Sequence, residues 1–158
     1  MSLETEKLEK ALPLTKKIEL GIVGGVVASI SMGVVIITAS GLGFENPRLF
    51  TLIPETQAMP GPSYELGLIG LTWHFIIGVV WGLIYAFLFR TYSVTKGLGI
   101  GGVQLLVFAI YLTNIEIPGY GVSLMNMPVL EAAKIITTYG LAYAVYGATI
   151  GLVAKKIA

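Results

Sequence analysis

The residue best suited to chemistry in this sequence is its single histidine, His74, and the residues at helical spacing around it are small. Gly67, Gly70, His74, Gly78, Gly82 and Tyr85 are separated by 3, 4, 4, 4 and 3 residues, so on a helix they fall on one stripe. A histidine on a glycine face looks toward another helix rather than toward lipid, because small residues mark the sides on which membrane helices approach closely. Three kinds of chemistry follow. A buried imidazole must find a hydrogen-bond partner, so His74 can fasten its helix to a neighbour through a tyrosine or a carbonyl. Free histidine titrates near pH 6.5, which suits proton or quinol handling. The third is haem ligation in a helical bundle; with one histidine in the chain, it requires Met32 as the opposite ligand or His74 of a second copy.

Three further polar residues stand inside apolar runs. Tyr143 lies on a stripe with Tyr139 and Tyr146, Gln104 is the carboxamide well inside a span, and Tyr85 closes the histidine stripe. Other chemistry is mostly excluded. Without cysteine there are no disulfides, thiolates or cysteine-held metal clusters. Without aspartate every acid is a glutamate, and none lies deep in an apolar run, which argues against an intramembrane carboxylate that carries ions or protons. Gly97-Leu-Gly-Ile-Gly-Gly102 lacks the Lys-Ser/Thr of a phosphate-binding loop and opens an apolar run instead of a βα turn. No carboxylate pair has metal-ligand spacing. A net charge of +1 with no basic patch gives no case for nucleic acid. The expectation is a protein without catalytic activity of its own and without cofactor, haem or quinone being the alternatives.

The elements that must position these residues are membrane helices. Hydrophobic residues make up 55% of the chain and charged ones 12%, about half the charged share of a soluble domain, which is roughly 25%. Leu66 to Phe89 runs 24 residues without a formal charge other than the titratable His74, enough at about 1.5 Å per residue to cross about 30 Å of hydrocarbon. The reading is an all-α integral membrane four-helix bundle in a single domain. Its spans are 20–42, 66–89, 97–115 and 135–154, with a tail at 1–19 and outer loops at 43–65 and 116–134. The tail reads as solvated, or as a short interfacial helix with Leu8, Ala11 and Leu12 on one face. It does not read as a good signal peptide, since it is acidic as well as basic and the apolar run after it is too long. Pro47, Pro54, Pro60 and Pro62 punctuate the first loop, which is expected to lie on the bundle or on a partner.

Gly21 and Gly25 in the first span, Gly78 and Gly82 in the second, and Gly147 and Gly151 in the fourth form small-xxx-small pairs, expected at helix contacts. Eight of the ten basic residues (Lys7, Lys10, Lys16, Lys17, Arg90, Lys96, Lys155 and Lys156) fall on one side, with Arg48 and Lys134 on the other. The positive-inside rule then puts both termini in the cytoplasm of a multi-pass plasma-membrane protein. His74-x3-Gly78-x3-Gly82 matches Tyr143-x3-Gly147-x3-Gly151, so a tandem repeat of two helical hairpins about an axis along the membrane normal fits the pattern, as does packing alone.

The tract Gly70-Leu-Thr-Trp-His74-Phe75-Ile-Ile-Gly78 through Tyr85 resembles a pattern in small prokaryotic four-helix membrane proteins of the YagU-like kind, over about residues 20–113. The resemblance implies a four-helix inner-membrane protein and supplies no activity; Tyr143 stands where a strict repeat would have histidine. The functional expectation is an accessory subunit that packs on lipid and on other membrane subunits or itself, in a respiratory or transport complex. The alternatives are a small oligomeric transporter or channel with His74 and Gln104 lining the path, and a haem- or quinol-associated redox subunit.

Overall fold

A computed structural model describes residues 12–44, 64–114 and 123–158, and every regular element among them is helical. Four long helices follow in order: α1 Leu14–Gly41, α2 Tyr64–Leu88, α3 Val94–Asn114 and α4 Val129–Ile157, with a single 3₁₀ turn, Leu124–Asn126, before α4. Each is long and apolar enough to cross a bilayer; in α2 the qualifying stretch is Gly70–Leu88. The interior of the proline-rich loop 43–65 and much of 116–134 lie outside the described residues, and with them the expectation that the first loop packs on the bundle.

All four helices begin before the spans read from hydropathy, and α4 also ends beyond its span, because a helix need not stop where hydrocarbon stops. α1 begins at Leu14 behind Pro13, so Lys16, Lys17 and Glu19 belong to its first turns and not to a separate tail. Lys16 pairs with Glu19 at 2.7 Å there. α4 begins behind Pro128, with Glu131 in its first turn and Lys155 and Lys156 in its last, the charge order that a helix dipole favours. Proline suits both starts, since the first N–H groups of a helix have no intrahelical partner to lose. Just past the end of α1 stands Gly43, whose φ of 76° lets Phe44 N–H reach back to Ala39 O at 2.9 Å. This is the left-handed glycine stop.

Consecutive helices run antiparallel, so one end of the bundle carries Leu14, the α2–α3 turn and Ile157. Packing does not follow a closed square. α1 packs on α2 and on α4, and α4 packs on α3, whereas α2 and α3 touch only sparsely. Burial agrees: 44% of the apolar window is buried in α1 and in α4, against 22% in α2 and in α3. α1 and α4 are the central pair, joined where Gly24 meets Ile150. Ile37, Ile76, Val80, Leu106 and Leu152 point outward. A soluble monomer seldom exposes apolar surface this continuously; on membrane helices it is the side that meets acyl chains.

Glycine sets the distances within each hairpin. A Cβ on Gly25 would stand 2.6 Å from Gly78 O, and one on Gly82 2.9 Å from Gly25 Cα. In the second hairpin a Cβ on Gly147 would stand 2.9 Å from Leu98 Cα and one on Gly151 2.6 Å from Val94 Cα. The backbones are in contact, so any side chain at these places forces the helices apart. Gly21, Gly25, Gly78, Gly82, Gly147 and Gly151 therefore all lie at helix contacts. Gly97 and Gly101 of α3 supply the opposing face for α4.

Candidate functional site

His74 is carried four residues before Gly78 on the α2 face that lies against α1. Because Gly25 and Gly78 bring those backbones together, the imidazole reaches across, and its Nε2 stands 2.9 Å from the backbone oxygen of Ser29. It is half-buried, its ring meets Phe75 edge-on, and the next α1 turn lies close, with Nε2 3.9 Å from where a Gly33 side chain would begin. Since a carbonyl can only accept, Nε2 is the N–H nitrogen in this bond. Haem ligation through Nε2 would require breaking it. Met32, the other residue considered for haem, is buried in the core on the turn after Ser29.

The second interhelical bond comes from Tyr146. Its hydroxyl donates to Gly78 O at 2.6 Å, so α4 is tied to α2, and the Gln104 side chain of α3 lies beside the same hydroxyl. Ser29 lies against the other side of Gly78, where an added methyl group would fall on its Oγ. One residue from each helix (Ser29, Gly78, Gln104 and Tyr146) thus meets in the middle of the bundle. Gln104 keeps 4% of its surface exposed and Ser29 1%. Among the described residues no group of three His, Cys, Asp or Glu side chains is placed to hold a metal ion.

Tyr143 does something different from what its match to His74 suggests. Its ring meets Phe108 edge-on at 5.8 Å, and Phe108 stacks on Tyr139 at 4.3 Å, so Tyr143 belongs to an aromatic seam between α3 and α4. Its backbone oxygen faces Gly101. Tyr85, the last member of the histidine stripe, closes the α2–α3 turn. Its hydroxyl donates to Ser93 O at 2.9 Å and accepts from Ser93 N–H at 3.1 Å. Tyr92 reciprocates by donating to Ala86 O at 2.9 Å; burial raises the Tyr92 pKa, which keeps it a neutral donor. Ser93 Oγ then caps α3 by accepting from Lys96 N–H.

Of the residues singled out by sequence, Gln104 and Gly78 come together. His74 stands one turn away on the same face, while Tyr143 and Tyr85 serve the α3–α4 seam and the turn. Ser29 and Tyr146 were not singled out as site residues, yet they complete the core. The signal for Ser29 was there: it continues Gly21-x3-Gly25 by one further step of four.

These features define an all-helical bundle with the four long apolar helices of a multi-pass membrane protein. Against protein-family models, curated proteins and solved structures the chain finds no match, so the reading of its role rests on the geometry.

Proposed function

We propose that the chain is a non-catalytic accessory subunit of a larger plasma-membrane complex, respiratory or transport, with both termini in the cytoplasm. One observation carries the reading: three polar side chains inside the spans, His74, Tyr146 and Tyr85, are engaged with the backbone of neighbouring segments. His74 bonds Ser29 O, Tyr146 bonds Gly78 O, and Tyr85 bonds Ser93. In a bilayer such bonds hold helices in register. An imidazole held on a carbonyl works as a fastener, and what remains for partners is the apolar outside of the bundle.

The experiment is the mass of the native particle extracted into lipid nanodiscs. The expected result is a particle with other polypeptides in fixed stoichiometry, far heavier than a few 16.8 kDa protomers. A homogeneous small homo-oligomer overturns the proposal. It would favour the second reading, an oligomeric transporter or channel, which the thread of polar groups from His74 through Ser29 to Tyr146 and Gln104 supports. In that case His74→Ala abolishes flux in liposomes while the oligomer persists.

A further inference from the structure

We infer that the α2–α3 turn holds the headgroup of an anionic phospholipid at Arg90, with Lys17 and Lys96 beside it. The antiparallel order gathers six described basic residues at this end of the bundle. Lys16 and Lys17 open α1, Arg90 and Lys96 flank the turn, and Lys155 and Lys156 close α4. Glu19 is the one acid described there, and it pairs with Lys16. The other five cations have no carboxylate partner among the described residues. Residues 1–11 contain two lysines and three glutamates, which together offset only one charge of that excess.

Three of the five are gathered on the end of α2. The Lys17 ammonium crosses from α1 to stand 5.6 Å from the centre of the Phe87 ring. The Lys96 ammonium folds back from α3 to stand 5.5 Å from the centre of the Phe89 ring, and it donates to Thr91 O at 2.9 Å. Attraction to the ring faces thus brings a cation from each neighbouring segment to the residues just before Arg90, which is itself exposed. Phe87 and Leu88 face outward beneath them, 49% and 63% exposed. The occupant must therefore be anionic at its head and apolar below, which describes a phospholipid of net negative charge. A guanidinium takes a phosphodiester through paired N–H donors, and lysines add charge without that geometry. Phosphatidylcholine has the same phosphodiester but would bring its own ammonium among three cations. Free phosphate has nothing to set against Phe87 and Leu88. The inference holds whichever leaflet this end meets, and it does not rest on the accessory-subunit reading.

The test titrates the full chain, in neutral detergent, with phosphatidylglycerol and separately with phosphatidylcholine. Native mass spectrometry resolves the first bound lipid and gives its association constant. One Lys or Arg beside an anionic lipid contributes roughly fivefold to association. The expected result is that the first phosphatidylglycerol binds at least about fivefold more tightly than the first phosphatidylcholine. Arg90→Gln and Lys17→Gln should each remove roughly fivefold of that affinity. Lys156→Gln, at the same end but away from the rings, should change it by less than about twofold. Equal constants for the two lipids in the unsubstituted chain overturn the inference, because the cations then serve orientation or an acidic polypeptide instead. So does an equal loss in Arg90→Gln and Lys156→Gln, since the charge of the whole end would then be acting and not a site at the turn.

Discussion

The two hairpins use the same spacing device and differ in what stands behind it. In α1/α2, Gly21, Gly25 and Ser29 oppose Gly82, Gly78 and His74; in α3/α4, Gly97 and Gly101 oppose Gly151, Gly147 and Tyr143. Both pairs reach backbone contact in the half of the bundle that carries the termini. Toward the middle they diverge. The first hairpin continues with a serine and a histidine, so its next turn is a hydrogen bond. The second continues with tyrosines against Phe108, so its next turn is aromatic packing. Glycine decides how near two helices come, and the following residue decides what fixes them there.

The largest expected effect separates the two hairpins at matched positions. At Gly147 an added methyl group meets backbone alone, the Gly97 carbonyl and Leu98 Cα at 2.9 Å. Backbone can yield only if the helices part, so Gly147→Ala should cost the upper end of the overpacking range, about 3 kcal/mol. At Gly78 the nearest atoms are the Ser29 hydroxyl and then its Cβ at 3.1 Å, with backbone third at 3.2 Å. A side chain can be removed. Gly78→Ala should be costly in the natural sequence, roughly 1–2 kcal/mol, and recover much of that loss with Ser29→Gly. Unfolding in graded detergent, followed by helical circular dichroism, measures both. Equal losses at Gly147 and Gly78, with no rescue, would show the two interfaces to be the same.

A smaller effect separates the two polar bonds made to backbone oxygens of the first hairpin. Ser29 O and Gly78 O both lie inside helices and keep their own intrahelical donors. Removing the external donor should then cost little, near the ~0.6 kcal/mol average for polar contacts between membrane helices. His74→Phe is expected to fall there. Tyr146→Phe should cost more, about 1–3 kcal/mol, because it also removes the hydroxyl beside the buried Gln104 side chain. The double variant Tyr146→Phe, Gln104→Leu tests the reason: it should be less damaging than the sum of its parts, since the two groups lie side by side.

How much of this the sequence displays depends on the question. Four spans and the glycine faces are legible because hydrocarbon imposes length and close approach imposes small residues. Which glycine meets which is not, since small-xxx-small marks a face without naming its partner. The tyrosines of α4 show the limit. At about 100° per residue, Tyr139, Tyr143 and Tyr146 fall within roughly 60° of one another, so periodicity treats them as one stripe. Yet α4 lies between α3 and α1, and that small angle divides it: Tyr139 and Tyr143 go to Phe108, whereas Tyr146 crosses to Gly78. Tyr143, aligned with His74 by spacing, has the less similar role. His74 was expected to fasten helices through a tyrosine or a carbonyl, and a carbonyl partner is seen. That the carbonyl belongs to Ser29 follows from the register that Gly25 and Gly78 impose.

The smallest effect concerns glycines of α3 that the second hairpin does not use. Gly97 and Gly101 touch α4, but Gly99 and Gly102 are exposed on other faces of the same helix, and a side chain at either meets nothing within 4 Å. If glycine served only the contacts inside this chain, Gly99→Ala would remove a residue that disfavours helix by about 0.5–1 kcal/mol relative to alanine and disturb nothing. Gly99→Ala should therefore be neutral or raise resistance to detergent unfolding, opposite in sign to Gly147→Ala at the used face. The assay is run on the isolated chain, so that no other polypeptide can cover the α3 exterior. A loss of stability in that setting would mean that the outer face of α3 is packed against another copy, and the contrast between used and unused glycines would fail.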